Sequence, residues 1–84
     1  MKRIGTVAAI NSNRGMVAIA TDESFTIIEL LSEFELEIGD SISWSNGFGL
    51  GHEIYENLTK NISKEVYVQN HSVNKANLHK QLLL

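Results

Sequence analysis

The sequence contains no cysteine, so neither a disulfide nor a thiolate metal site holds it together, and its redox compartment is unconstrained from that side. Proline is also absent, which leaves glycines and polar clusters to punctuate the chain. No apolar run approaches the roughly 20 residues that a membrane-spanning helix requires. The opening MKRIGTVAAINSN has an interrupted apolar stretch that runs into a polar turn, which reads as a first strand and not as a secretory signal. A cytoplasmic setting is the expectation. Between Gly15 and Thr59 there is no lysine or arginine at all. That stretch carries only Asp22, Glu23, Glu29, Glu33, Glu35, Glu37, Asp40, Glu53 and Glu56.

What is present fits one small domain of 84 residues, 43% apolar, whose stability must come from packing alone. The net charge of −3 conceals a segregation, since Lys2, Arg3 and Arg14 precede the acidic middle and Lys60, Lys64, Lys75 and Lys80 follow it. Affinity for nucleic acid comes largely from neutralising phosphates, so an acidic middle opposes that role. A solvated acidic surface that keeps a small domain dispersed is the plainer reading.

Period-two alternation dominates the pattern. Lys2–Ile10 reads as a first strand and Arg14–Thr21 as a second, with Met16 and Ala18 on one face and Val17 and Ile19 on the other. Phe25–Leu31 is a third. In Ser32–Asp40, Phe34, Leu36 and Ile38 alternate with Glu33, Glu35 and Glu37 before the Gly39-Asp40 turn. Ser41–Ser45 follows with Ile42 and Trp44 inward, then the Asn46-Gly47 turn, and His52–Thr59 is a fifth strand. Glu65–Gln69 alternates as a sixth strand on a barrel edge. Ser72 is the expected N-cap of a helix over Val73–Leu83, with a stripe of Val73, Ala76, Lys80 and Leu83 beside Leu78 and Leu82. So short a helix needs a surface to lie on, and the open bottom of its own barrel is the expected one, with a subunit or partner contact as the alternative. The expected core is Ile4, Val7, Ile10, Val17, Ile19, Ile28, Leu36, Ile38, Ile42, Trp44, Ile54 and Leu58, joined by Val66, Val68, Leu78 and Leu82.

Two ordered stretches carry a family resemblance. GTVAAINSNRGMVAI (5–19) and LEIGDSISW through ENLTK (36–60) resemble cold-shock domains, a branch of the oligonucleotide-binding fold. Arg14 and Gly15 stand at the Lys-Gly of the family's K-G-F-G-F-I. Leu36, Gly39, Asp40, Ile42 and Trp44 match L-x-x-G-(Q/D)-x-V-x-F, and Asn57, Leu58 and Thr59 match N-V-T. The resemblance implies an all-β, five-stranded oligonucleotide-binding (OB) barrel over residues 1–59; the added C-terminal strand and short α-helix over 60–84 lie outside the family pattern and are expected to pack on the barrel or a partner. It also implies single-stranded RNA or DNA as ligand. However, Met16 and Ala18 replace the family's two stacking phenylalanines, Ala9 replaces its tryptophan, and Ile27 and Glu29 replace the Phe and His of its third strand. Stacking is worth roughly 1–3 kcal/mol per base, so losing about four platforms removes most of that affinity.

No enzymatic constellation stands out. His52, His71 and His79 lack metal-ligand spacing, and Glu33 and Glu35 belong to an outward face, not an acid/base dyad. The loop Gly47-Phe48-Gly49-Leu50-Gly51 lacks the lysine and hydroxyl of a phosphate cradle, and no cofactor is expected. Two functions compete for a small non-enzymatic binding module. One is a weak single-strand binder using Asn11, Arg14, Met16, Ile27, Phe48 and His52. The other is a protein-interaction or self-associating module that has lost the nucleic-acid face and uses Val73, Leu78, Leu82 and Leu83. A tail lying on the old nucleic-acid face would account for both the missing rings and the terminal leucines.

Overall fold

Strand β1 (Arg3–Asn11) is long enough to serve two neighbours. Its first half pairs with β4 (Ser41–Trp44) through Arg3↔Trp44 to Thr6↔Ser41, and its second half pairs with β2 (Met16–Ala20). The register shifts between Val7 and Ala9. That bulge puts both Val7 and Ile10 against the interior while Ala9 faces outward. β2 continues to β3 (Phe25–Leu30), and β4 to β5 (Gly51–Asn57).

The remaining gap is filled by β6 (Ile62–Val73), which pairs with β5 along Ile62–Val68 and with β3 along Val66–Val73. The computed structural model describes residues 2–22 and 24–82, and these form a closed antiparallel barrel in the order β1-β2-β3-β6-β5-β4 with one short C-terminal helix. The strand count is thus six, not the expected five. The segment read as an edge addition is a stave of the barrel, because its twelve residues reach both open edges at once.

Inside, Val7, Val17, Ile19, Ile28, Ile42, Val66 and Val68 pack around Trp44 and Tyr55. The Trp44 and Tyr55 rings stack at 4.7 Å with planes 2° apart. Phe34 enters this core from the irregular segment between β3 and β4, with Leu36 partly buried beside it. Ile38, the third member of that alternation, is exposed, because the chain turns at residues 38–39. Ile4, Ile54 and Leu58 are exposed as well, and correct the expected core. Parity explains the first two. Gly5 and Val7 take the inward positions of β1, and Tyr55 and Asn57 take those of β5, so their neighbours Ile4 and Ile54 face out. Leu58 falls just beyond β5.

The helix α1 (Lys75–Gln81) is shorter than the expected Val73–Leu83. β6 runs on through Val73, and Ser72, expected to cap the helix, is in the strand with a φ of 56°. The cap is Asn74, whose side chain accepts from the backbone N–H of Asn77 at 3.0 Å. His79 and Lys80 in its last turn suit the negative end of the helix dipole. No described helix is long and apolar enough to cross a membrane. The terminal Leu83 and Leu84, and Glu23 between β2 and β3, lie outside the described residues.

Candidate functional site

The outward side chains of β1, β2 and β3 form the platform where the family resemblance sets its stacking rings. Here that platform is covered. Met16, Ala18 and Ile27 are buried in a second apolar cluster with Val73 and Leu82, and Ala9, Phe25 and Leu78 pack around its margin. Leu78 comes from α1 and Leu82 from its C-cap, so the tail seats on the outside of the barrel wall and not across its open end. The Asn11 side-chain amide donates to the Leu82 carbonyl at 2.7 Å, pinning the end of the helix to the end of β1.

The six residues proposed for a single strand therefore do not share one open face. Met16 and Ile27 are under the tail, and Asn11 fastens it. Arg14 is exposed in the turn after β1. Phe48 projects from the β4–β5 loop, 69% exposed, near the opposite end of β1. The Arg3 guanidinium lies 4.6 Å over its ring centroid, and the His71 ring meets it edge-on at 5.7 Å. Arg14 follows the far end of β1, whereas Phe48 lies against Arg3 at its start, so the two are not neighbours. His52 is elsewhere again, against the Tyr67 ring and 3.4 Å from a Glu65 carboxylate on the outer face of β5 and β6. Of the residues proposed for an interface, Val73, Leu78 and Leu82 face the chain's own barrel, and Leu83 is outside the described residues.

The histidines are also separate. His71 is a strand residue, its ring nitrogens 2.9 Å from the Thr26 hydroxyl and 3.0 Å from the Gly49 carbonyl, so it ties the β4–β5 loop to β3. His79 lies in α1. No group of three or more potential metal ligands occurs among the described residues.

The strongest charge cluster is structural. Asp40, buried before β4, accepts from Lys60 Nζ at 2.7 Å, Asn57 Nδ2 at 2.8 Å and the Glu37 N–H at 3.0 Å. The Lys60 and Asn57 bonds hold its carboxyl below the usual carboxylate range, and Lys60 is raised in turn by Asp40 and Glu37. Together they clamp the 31–40 segment, with Phe34, onto the barrel. Burial, reinforced by the nearby Glu53 carboxylate, raises the Tyr55 phenol. Its hydroxyl has no hydrogen-bond partner among the described residues.

One arrangement escaped the sequence pattern. Arg14 and Lys80, far apart in sequence, line a single groove of about 400 Å³ with Met16, Glu29, Gln69 and Gln81. The segregation of cations to the two ends of the chain was the available signal. It could not show that the ends meet.

No family model, curated protein or solved structure matches this chain.

Proposed function

We propose that this protein is a non-enzymatic binding module with a cold-shock-like, oligonucleotide-binding ancestry, which now works by contacting another protein and not by holding a single strand. One observation carries the reading. The platform that would stack bases holds Met16, Ala18 and Ile27 in place of rings and is packed under Leu78 and Leu82 of the chain's own tail. Aliphatic side chains offer a base no π-face, and a covered one offers no surface at all. The carboxylates of residues 15–59 add repulsion to any phosphate backbone laid across the barrel. Folds host unrelated functions freely, so keeping the barrel while losing its ligand is physically ordinary.

Fluorescence anisotropy of labelled oligo-dT and oligo-rU, at about 50 mM salt where electrostatic binding is exaggerated, tests this reading. The expected result is no saturable binding by the intact chain. Saturable binding that Arg14→Glu weakens would return the module to the weak single-strand binders.

A further inference from the structure

Two cations from opposite ends of the sequence converge beside the seated helix. Arg14 comes from the turn between β1 and β2, and Lys80 from the last turn of α1. Among the described residues neither has a carboxylate within ion-pair distance, whereas Lys60 has two. Gln69 of β6 and Gln81 of α1 line the same groove, and Met16 contributes its thioether. Among the described residues that line it, the one acid, Glu29, already accepts from the Gln69 side-chain amide at 2.7 Å.

We infer that this groove binds an acidic peptide segment of a partner protein, with a carboxylate seated between Arg14 and Lys80. The inference rests on the protein-binding reading above and names the partner's chemistry. The charge argument is local, because residues 15–59 contain no lysine or arginine and Arg14 and Lys80 set this groove apart from that stretch. Paired cations give charge-assisted bonds to a carboxylate. The glutamine amides supply both donors and acceptors, which suits a peptide backbone. A polynucleotide fits less well. The groove offers no ring for a base to stack on. The groove also exists only while α1 is seated, so the tail that closes the old platform builds the new site.

The test is a ¹H–¹⁵N NMR titration of the full chain with an acetylated, amidated hexaglutamate peptide, with inorganic phosphate and oligo-dT titrated in parallel. Expected are saturable shifts at Arg14, Met16, Glu29, Gln69, Lys80 and Gln81. Dissociation constants should rise about tenfold in Arg14→Glu and in Lys80→Glu, and by a smaller factor in Lys80→Gln, with the amide pattern of the barrel unchanged. No saturation at millimolar peptide, or saturation centred elsewhere, overturns the groove assignment and leaves the protein-binding reading standing. Phosphate acting as strongly as the peptide reduces the site to a generic anion pocket and overturns the peptide assignment. Tighter binding of oligo-dT in the same groove overturns both readings.

Discussion

Asn11 and Leu82, 71 residues apart in sequence, are joined by a buried hydrogen bond of 2.7 Å from the asparagine amide to the leucine carbonyl. The bond links the end of β1 to the C-cap of α1, a helix of only seven residues that tertiary contacts must hold in place. Asn11→Ala strips the Leu82 carbonyl of this partner, at a cost of about 1–3 kcal/mol. The expected outcome is local. The amides of α1 should exchange faster with solvent and the Met16 and Ile27 methyl resonances should shift, while the barrel amides keep their protection. Unchanged exchange across α1 would mean that Leu78 and Leu82 packing alone seats the tail.

The Asp40 clamp predicts the acid side of the stability curve. Its folded-state pKa lies below the unfolded value, through Lys60 first and Asn57 second. Its contribution is therefore present above the unfolded value and lost as pH falls through the folded one. Melting temperature should hold steady from neutral pH and drop below about pH 4. Asp40→Asn should lower stability at neutral pH and flatten that drop, and a variant with an undiminished acid limb would assign the limb to other carboxylates. Lys60 acts in the opposite window. Raised by Asp40 and Glu37, it stabilises fully below its unfolded value, and that contribution is lost as pH rises through the folded one.

Gly5 shows how closely β1 approaches β2. A Cβ added there would come within 2.6 Å of the Ala20 carbonyl oxygen and of Ile19 Cγ2. The first is backbone and the second is a core side chain, so neither yields cheaply. Gly5→Ala should cost about 1–3 kcal/mol, and each kcal/mol should lower the melting temperature by roughly 4–8 °C in a domain of this size. An unchanged melting temperature would mean that β1 can lift away from β2 at that point.

Much of the barrel is legible from alternation, because period two fixes which face each strand buries. Val17, Ile19, Ile28, Ile42 and Trp44 all point inward as their spacing requires. The failures have local causes. On β5 the alternation of His52, Ile54 and Glu56 against Glu53, Tyr55 and Asn57 offers one strongly apolar residue to each parity. The core takes Tyr55 because its ring stacks on Trp44, and Ile54 goes outside. On β6 the pattern locates a strand but not its length, since Ser63, Lys64 and Asn70 carry no apolar signal, the first two being held by pairing with β5 and the last by pairing with β3. The covered platform is the inverse case. The mismatch between Met16, Ala18 and Ile27 and an exposed stacking face, beside a leucine-rich tail, allows the contact that forms, but the same leucines fit the expected position over the barrel's open bottom equally well. The Arg14–Lys80 groove needs the tail's position to the ångström, which composition and spacing do not carry.

Tyr55 is fully buried and stacked on Trp44, yet its hydroxyl has no hydrogen-bond partner among the described residues. Leaving a buried hydroxyl unsatisfied costs about 1–3 kcal/mol, whereas its removal in a residue of the same shape is neutral or favourable. Tyr55→Phe keeps the ring and its stacking, so the variant should melt at the same temperature or several degrees higher. The alkaline limb separates this account from simple repacking. Burial raises the phenol above its ordinary value, so its contribution is complete below about pH 10 and lost as pH rises through the folded-state value. The phenylalanine variant should therefore resist alkaline unfolding better than the parent, as followed by circular dichroism from pH 9 to pH 12. A variant that melts earlier at neutral pH would show that the hydroxyl is bonded, and that the barrel interior holds a polar partner for it.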